Sequence, residues 1–185
     1  KIFKYLKRYS YVLESPRRSD LISDNLFPNK IWICWLQGID DAPILVKRCV
    51  ESIKKFSSGH EVIVLTNKNI CDYITLPDYI NYKYKKGSIT RTHYSDILRV
   101  SLLAQYGGVW IDATVLLTSE IPVHIYSSPL FFFKSSLFSP SKIRASSWFI
   151  VSEPKNEILL STRDILYEYW KHESFLKHYF LFHLM

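Results

Sequence analysis

The chain has 185 residues, 48% of them hydrophobic and 16% aromatic, enough to bury the core of one ordinary domain; this excludes a disordered or low-complexity chain. A net charge of +7 favours an anionic partner, be it a phosphorylated substrate, an acidic membrane surface or nucleic acid. Cys34, Cys49 and Cys71 are odd in number and lack Cys-x-x-Cys spacing, which argues against a disulfide framework or a cysteine zinc site and makes a reducing, cytoplasmic setting the default expectation.

Residues 1–27 read as a basic N-terminal segment. Lys1, Lys4, Lys7, Arg8, Arg17 and Arg18 crowd it, while Ile2, Phe3, Leu6, Tyr9 and Leu13 recur at helical spacing. The pattern predicts an amphipathic segment over 1–24, either peripheral on an anionic membrane or packed on the domain that follows. Residues 28–185 read as that domain. Ile31-Trp-Ile-Cys-Trp-Leu36 is a short unbroken apolar run, as in a buried strand of a parallel sheet. Asp40 and Asp41 before Pro43 mark a helix start. Ile44, Leu45, Val46, Cys49, Val50, Ile53 and Phe56 give that helix its apolar face, and Gly59 ends it.

Glu61-Val-Ile-Val-Leu-Thr66 is a second buried strand, so strand, helix and strand make a right-handed βαβ unit and an α/β domain. Residues 69–88 read as short helices and loops. A longer helix over 92–106 closes at Gly107-Gly108, and a strand runs from Val109 to Leu117. Leu130 to Lys134 and Trp148 to Ser152 are further strands, Pro154 to Trp170 is a helix, and Phe175 to Met185 is a last helical stretch.

The chemistry concentrates between Tyr94 and Thr114. Asp96 and Arg99 are three residues apart and share one helix face. An Arg near a helix N-terminus opposes the helix dipole, which suggests that it serves something outside the helix. In the following strand Val109, Ile111, Ala113 and Val115 alternate with Trp110, Asp112, Thr114 and Leu116. A carboxylate in so apolar a run is costly unless it is paired, hydrogen-bonded or bound to a metal. Asp112 also falls where α/β sheets bind ligands, at the outgoing end of a strand.

This stretch resembles the capsular polysaccharide synthesis proteins, a glycosyltransferase family related to the DXD-motif sugar transferases. The resemblance continues through Ile31-Trp-Ile-Cys-Trp-Leu-Gln-Gly38, Ala42-Pro43, Ser147-Trp-Phe149 and Tyr179-Phe-Leu-Phe-His183. It implies a GT-A-like, Rossmann-type nucleotide-sugar-binding domain, with a mostly parallel central sheet flanked by helices. It also implies a hexosyltransferase of capsular or other surface polysaccharide, a UDP-linked or other nucleotide-sugar donor, a divalent Mn²⁺ or Mg²⁺, and a glycan or lipid-linked acceptor.

By the same resemblance Asp96 binds ribose or sugar hydroxyls, Arg99 the sugar or diphosphate, and Asp112 the metal. Trp35 stacks on the nucleotide base, although Trp35 fits the core equally well and Trp32 is then the exposed ring. The family's Asp-x-Asp is Asp112-Ala113-Thr114 here, so Thr114 or His183 is expected to complete the metal site. His93 is a weaker candidate beside the site.

Two other classes compete. A glycoside hydrolase would use Asp96 and Asp112 as its carboxylate pair, but it leaves Arg99 unexplained. A nucleic-acid-binding protein fits the charge, but no recognisable module is present and the basic residues beyond the N-terminus are dispersed, so no nucleic-acid partner is expected.

Overall fold

A computed structural model describes residues 7–14, 29–134 and 145–174. A 3-10 helix spans Lys7–Leu13. Next come β1 (Lys30–Cys34), α1 (Ile44–Lys55), β2 (Glu61–Leu65), α2 (Ile70–Tyr73) and α3 (Asp78–Lys85). The chain continues as α4 (Arg91–Tyr106), β3 (Gly108–Ile111), α5 (Val123–Tyr126), β4 (Leu130–Lys134), β5 (Ala145–Ser152) and α6 (Glu157–His172).

The five strands form one sheet in the order β2-β1-β3-β5-β4. β1 pairs in parallel with both β2 and β3. β5 runs against its two neighbours, β3 and β4, so among the described residues it is the one reversed strand of the sheet. The α/β expectation of a mostly parallel sheet flanked by helices therefore holds.

Alternation along the strands divides the core between the two faces of the sheet. Trp32, Trp110, Ile63, Leu65 and Ile150 face α4 and α6, meeting Ile97, Leu98, Leu102, Leu159 and Leu166. Ile31, Ile33, Val109, Ile111, Phe149 and Val151 face α1, meeting Val46, Val50 and Ile53. Helices on both faces explain why β1 reads as a continuous apolar run rather than an alternating one.

Several local expectations change. Of the N-terminal segment expected over 1–24, the described residues 7–14 hold a 3-10 helix packed against α6, and the rest of the segment lies outside the described residues. Tyr9 is 4% exposed there, edge-on to Tyr169, and its hydroxyl donates to Glu173 Oε1 at 2.9 Å. α1 begins at Ile44 with Pro43 at its cap, so Asp40 and Asp41 stay outside it, and Ile44 and Leu45 lie exposed. β3 stops at Ile111 instead of running to Leu117. A turn closed by Val115 N–H donating to the Asp112 carbonyl at 2.9 Å takes the chain away from the sheet. The helical stretch expected over 175–185, with His183, lies outside the described residues.

Between α4 and β3 the chain reverses at Gly107 and Gly108, with φ of +65° and +103°. Those angles are open to glycine and strained for other residues. Packing forbids a side chain as well: a Cβ on Gly108 would lie 2.5 Å from the Lys30 carbonyl oxygen, and one on Gly107 2.5 Å from Pro154 N. The Trp32 indole N–H donates to the Gly107 carbonyl at 2.9 Å, tying this reversal to β1.

Candidate functional site

β1 and β3 run in parallel, and their outgoing ends open into one cleft at the start of α4. The cleft holds about 250 Å³ and is lined by Cys34 at the end of β1 and by Trp35 and Gln37 just after it, from α4 by Arg91, Ser95 and Arg99, and after β3 by Asp112 and Thr114. This is the position where open α/β sheets bind ligands, beyond the carboxyl ends of adjacent parallel strands.

Arg99 organises the floor of this cleft. It is 4% exposed, and its guanidinium lies 4.9 Å from the centre of the Trp110 ring. Nη2 donates to Asp112 Oδ1 at 2.8 Å, Nη1 donates to the Ser147 carbonyl at 2.8 Å, and Nη1 also lies 3.4 Å from Asp96 Oδ1. One guanidinium thus joins α4, the end of β3 and β5. The buried Nε has no hydrogen-bond partner among the described residues.

Asp112 is fixed on one side only. Its Oδ1 accepts from Arg99 and also from the Trp110 indole N–H at 2.8 Å, and its backbone N–H donates to the Trp148 carbonyl at 2.9 Å. The side chain is still 33% exposed, and Oδ2 accepts no hydrogen bond among the described residues. Asp96 stands behind Arg99, 7% exposed, and burial pushes its carboxyl up to about 6, with Arg99 opposing the rise and Asp112 adding to it.

The sequence placed Asp96 and Arg99 in the first turn of a helix beginning at 92. α4 in fact begins at Arg91, capped by Thr90, whose hydroxyl accepts from His93 N–H at 3.3 Å. Arg99 is therefore more than two turns in, and paired carboxylates account for it rather than an opposed dipole. The residue that does meet the positive end of the helix is Arg91, which borders the cleft. With a helix start at 92 Arg91 carries no mark in the sequence, whereas with the start at Arg91 its charge is the one that opposes the dipole.

The two tryptophan alternatives separate. Trp32 is wholly buried, whereas Trp35 is half-buried, packing on the α1-side core and bordering the cleft. Cys34 also borders it, and burial pushes its thiol up to about 12, with the Ser95 hydroxyl opposing, so it sits there as a neutral group rather than a thiolate. His93 lies 5.8 Å from Trp170, ring centre to ring centre, on the α6 side.

No cluster of three or more His, Cys, Asp or Glu suited to a metal occurs among the described residues. The donor set nevertheless fits one kind of ion. Asp112 presents one unengaged carboxylate oxygen to the cleft, and Mg²⁺-like ions are commonly held by one or two carboxylates together with substrate phosphates.

A family model described as capsular polysaccharide synthesis protein matches residues 2–185. Among solved structures, that of PaToxG glycosyltransferase superposes with a TM-score of 0.50 at 16% identity, covering 93% of this chain and 69% of that one. At this identity the likeness speaks for the fold. None of the curated proteins compared matches the chain.

Proposed function

This chain belongs to the capsular polysaccharide synthesis protein family, and on that premise we propose that it is a GT-A-like glycosyltransferase moving a hexose from a nucleotide donor to a growing surface glycan. The observation that carries the reading is the joining of Asp96, Arg99 and Asp112 at the outgoing ends of β1 and β3. A hydrolase would need its two carboxyl groups to flank one sugar bond, whereas here both are held by the same guanidinium and Asp96 is buried behind it.

In this reading Trp35 stacks on the nucleotide base at the β1 side of the cleft. Arg91 faces the diphosphate, adding its charge to the exposed N–H groups at the start of α4. Asp112 presents Oδ2 to a divalent ion, Mn²⁺ or Mg²⁺, and Thr114 offers a hydroxyl beside it. When bound, that ion would neutralise charge on the departing diphosphate. Arg99 holds the Asp112 carboxylate in one orientation, and Asp96 keeps Arg99 in place. The basic residues of 1–24 suit an anionic membrane surface, which liposome co-sedimentation at low and high salt would test.

A thermal-shift panel of UDP, GDP, CDP and CMP, each with and without Mn²⁺, tests the whole reading. A rise in Tm selective for one nucleoside diphosphate and enhanced by Mn²⁺ is expected. No response to any nucleotide would defeat it.

A further inference from the structure

Beyond the donor cleft, on the opposite side of β3, two large aromatic rings lie open. Trp148 of β5 is 38% exposed and Phe133 of β4 is 37% exposed. They stack nearly parallel, with ring centres 4.8 Å apart and an interplanar angle of 8°. Phe133 is braced edge-on by Phe131 at 5.1 Å and by Phe149 at 5.3 Å. β4 and β5 lose register between Phe132 and Lys134, so this pair sits at a bulge rather than in a regular ladder. Bulges commonly re-aim side chains next to functional sites.

The pair is tied to the proposed transfer centre through the backbone. The Trp148 carbonyl accepts the Asp112 N–H at 2.9 Å, and the carbonyl of the preceding residue, Ser147, accepts from Arg99 at 2.8 Å. The sheet order then separates two approaches to Asp112. β1, with Trp35 and Gln37 just after it, flanks β3 on one side, and β5, with Trp148, flanks it on the other. A donor lying in the cleft takes the β1 side, which leaves the β5 side for the second substrate.

We propose that the Trp148–Phe133 pair is a platform on which a pyranose ring of the acceptor glycan stacks, next to the point of transfer; the word acceptor rests on the glycosyltransferase reading above. The chemistry fits. A hexopyranose has a face of C–H groups polarised by the ring and hydroxyl oxygens, and an aromatic face is electron-rich. The sugar's hydroxyls stay in water while its C–H face covers rings that otherwise expose apolar surface. A rigid, braced aromatic surface also binds with little loss of side-chain freedom.

Saturation-transfer NMR on the full chain tests this, using methyl pyranosides of glucose, galactose, mannose and N-acetylglucosamine as probes. Wild type is expected to transfer saturation to the C–H face of at least one probe. Trp148→Ala and Phe133→Ala are expected to weaken that binding by about tenfold, and Trp148→Phe to restore most of it. If wild type binds none of the probes, or if binding survives both alanine variants, the platform is wrong. A change in sedimentation with Trp148→Ala would instead assign the pair to self-association and overturn the proposal. UDP and GDP thermal shifts on the same wild-type sample keep the two ideas apart. Sugar binding without a nucleotide response would sink the donor reading and leave the platform standing.

Discussion

Arg99 is held by three oxygens on three elements, so its shape matters as much as its charge. Arg99→Lys keeps the charge but loses the planar fork that reaches Asp112 and Ser147 together. Turnover is expected to fall by at least ~10² with the fold retained, as for loss of one preorganised group. Retention of most activity would reduce Arg99 to a point charge. Asp112→Asn should leave Oδ1 accepting from Arg99 and Trp110 while removing the charge offered through Oδ2. A fall in turnover of ~10² with weakened Mn²⁺ dependence is expected, and full wild-type turnover in excess EDTA would refute the metal role.

Asp96 makes a separate prediction about pH. Its carboxyl is raised from 3.8 to about 6 in the folded chain. Between those values the folded protein keeps a proton that the unfolded chain releases. Its contribution therefore favours folding at low pH and turns unfavourable as pH rises through about 6. Asp96→Asn cannot ionise, so the Tm of wild type relative to this variant should rise as pH falls from 7 to 5. A constant difference would mean that Asp96 is ionised throughout. Asp96, Arg99 and Asp112 were legible because their residue types are anomalous in apolar runs. The carbonyl of Ser147 and the indole of Trp110 were not, since a backbone acceptor or a core tryptophan leaves no mark in sequence.

At the scale of elements, the reversal between α4 and β3 is the most constrained joint. Gly108 combines a φ of +103° with a backbone oxygen 2.5 Å from any added Cβ. Gly108→Ala is therefore expected to cost about 3 kcal/mol or more, since strain and overlap add. A loss of unfolding free energy under about 1 kcal/mol, measured by denaturant titration, would show that the backbone relaxes instead. The strands and long helices were legible from their apolar runs, because β1 is buried on both faces and β2 buries Ile63 and Leu65 on one face while Val62 and Val64 are half-covered on the other. The end of β3 was not, since Ala113 and Val115 continue the apolar alternation while the chain has already turned. β5 was read from Trp148, whereas the strand begins at Ala145, where Ser146 and Ser147 carry no strand signal. Its reversed direction was equally hidden, because direction follows from connection and not from side chains.

For the whole molecule, the contact between the Lys7–Leu13 helix and α6 joins distant parts of the chain. Tyr9 and Glu173 are 164 positions apart, and Tyr11, whose hydroxyl donates to Glu168, is 157 from its partner. On the ribosome this pairing has to wait. At ordinary elongation speeds roughly 10–30 s separate the synthesis of Tyr9 from that of Glu173. Throughout that interval Tyr9 lacks the α6 surface that it buries against in the finished fold, and the site at β3 likewise lacks the carbonyls that β5 will bring to Arg99 and Asp112. Nascent chains stalled before Glu157 should be cut by a limiting protease within residues 7–13, whereas the released full chain should resist there. Equal protection in both would mean that the early segment finds shelter on the growing sheet before α6 exists.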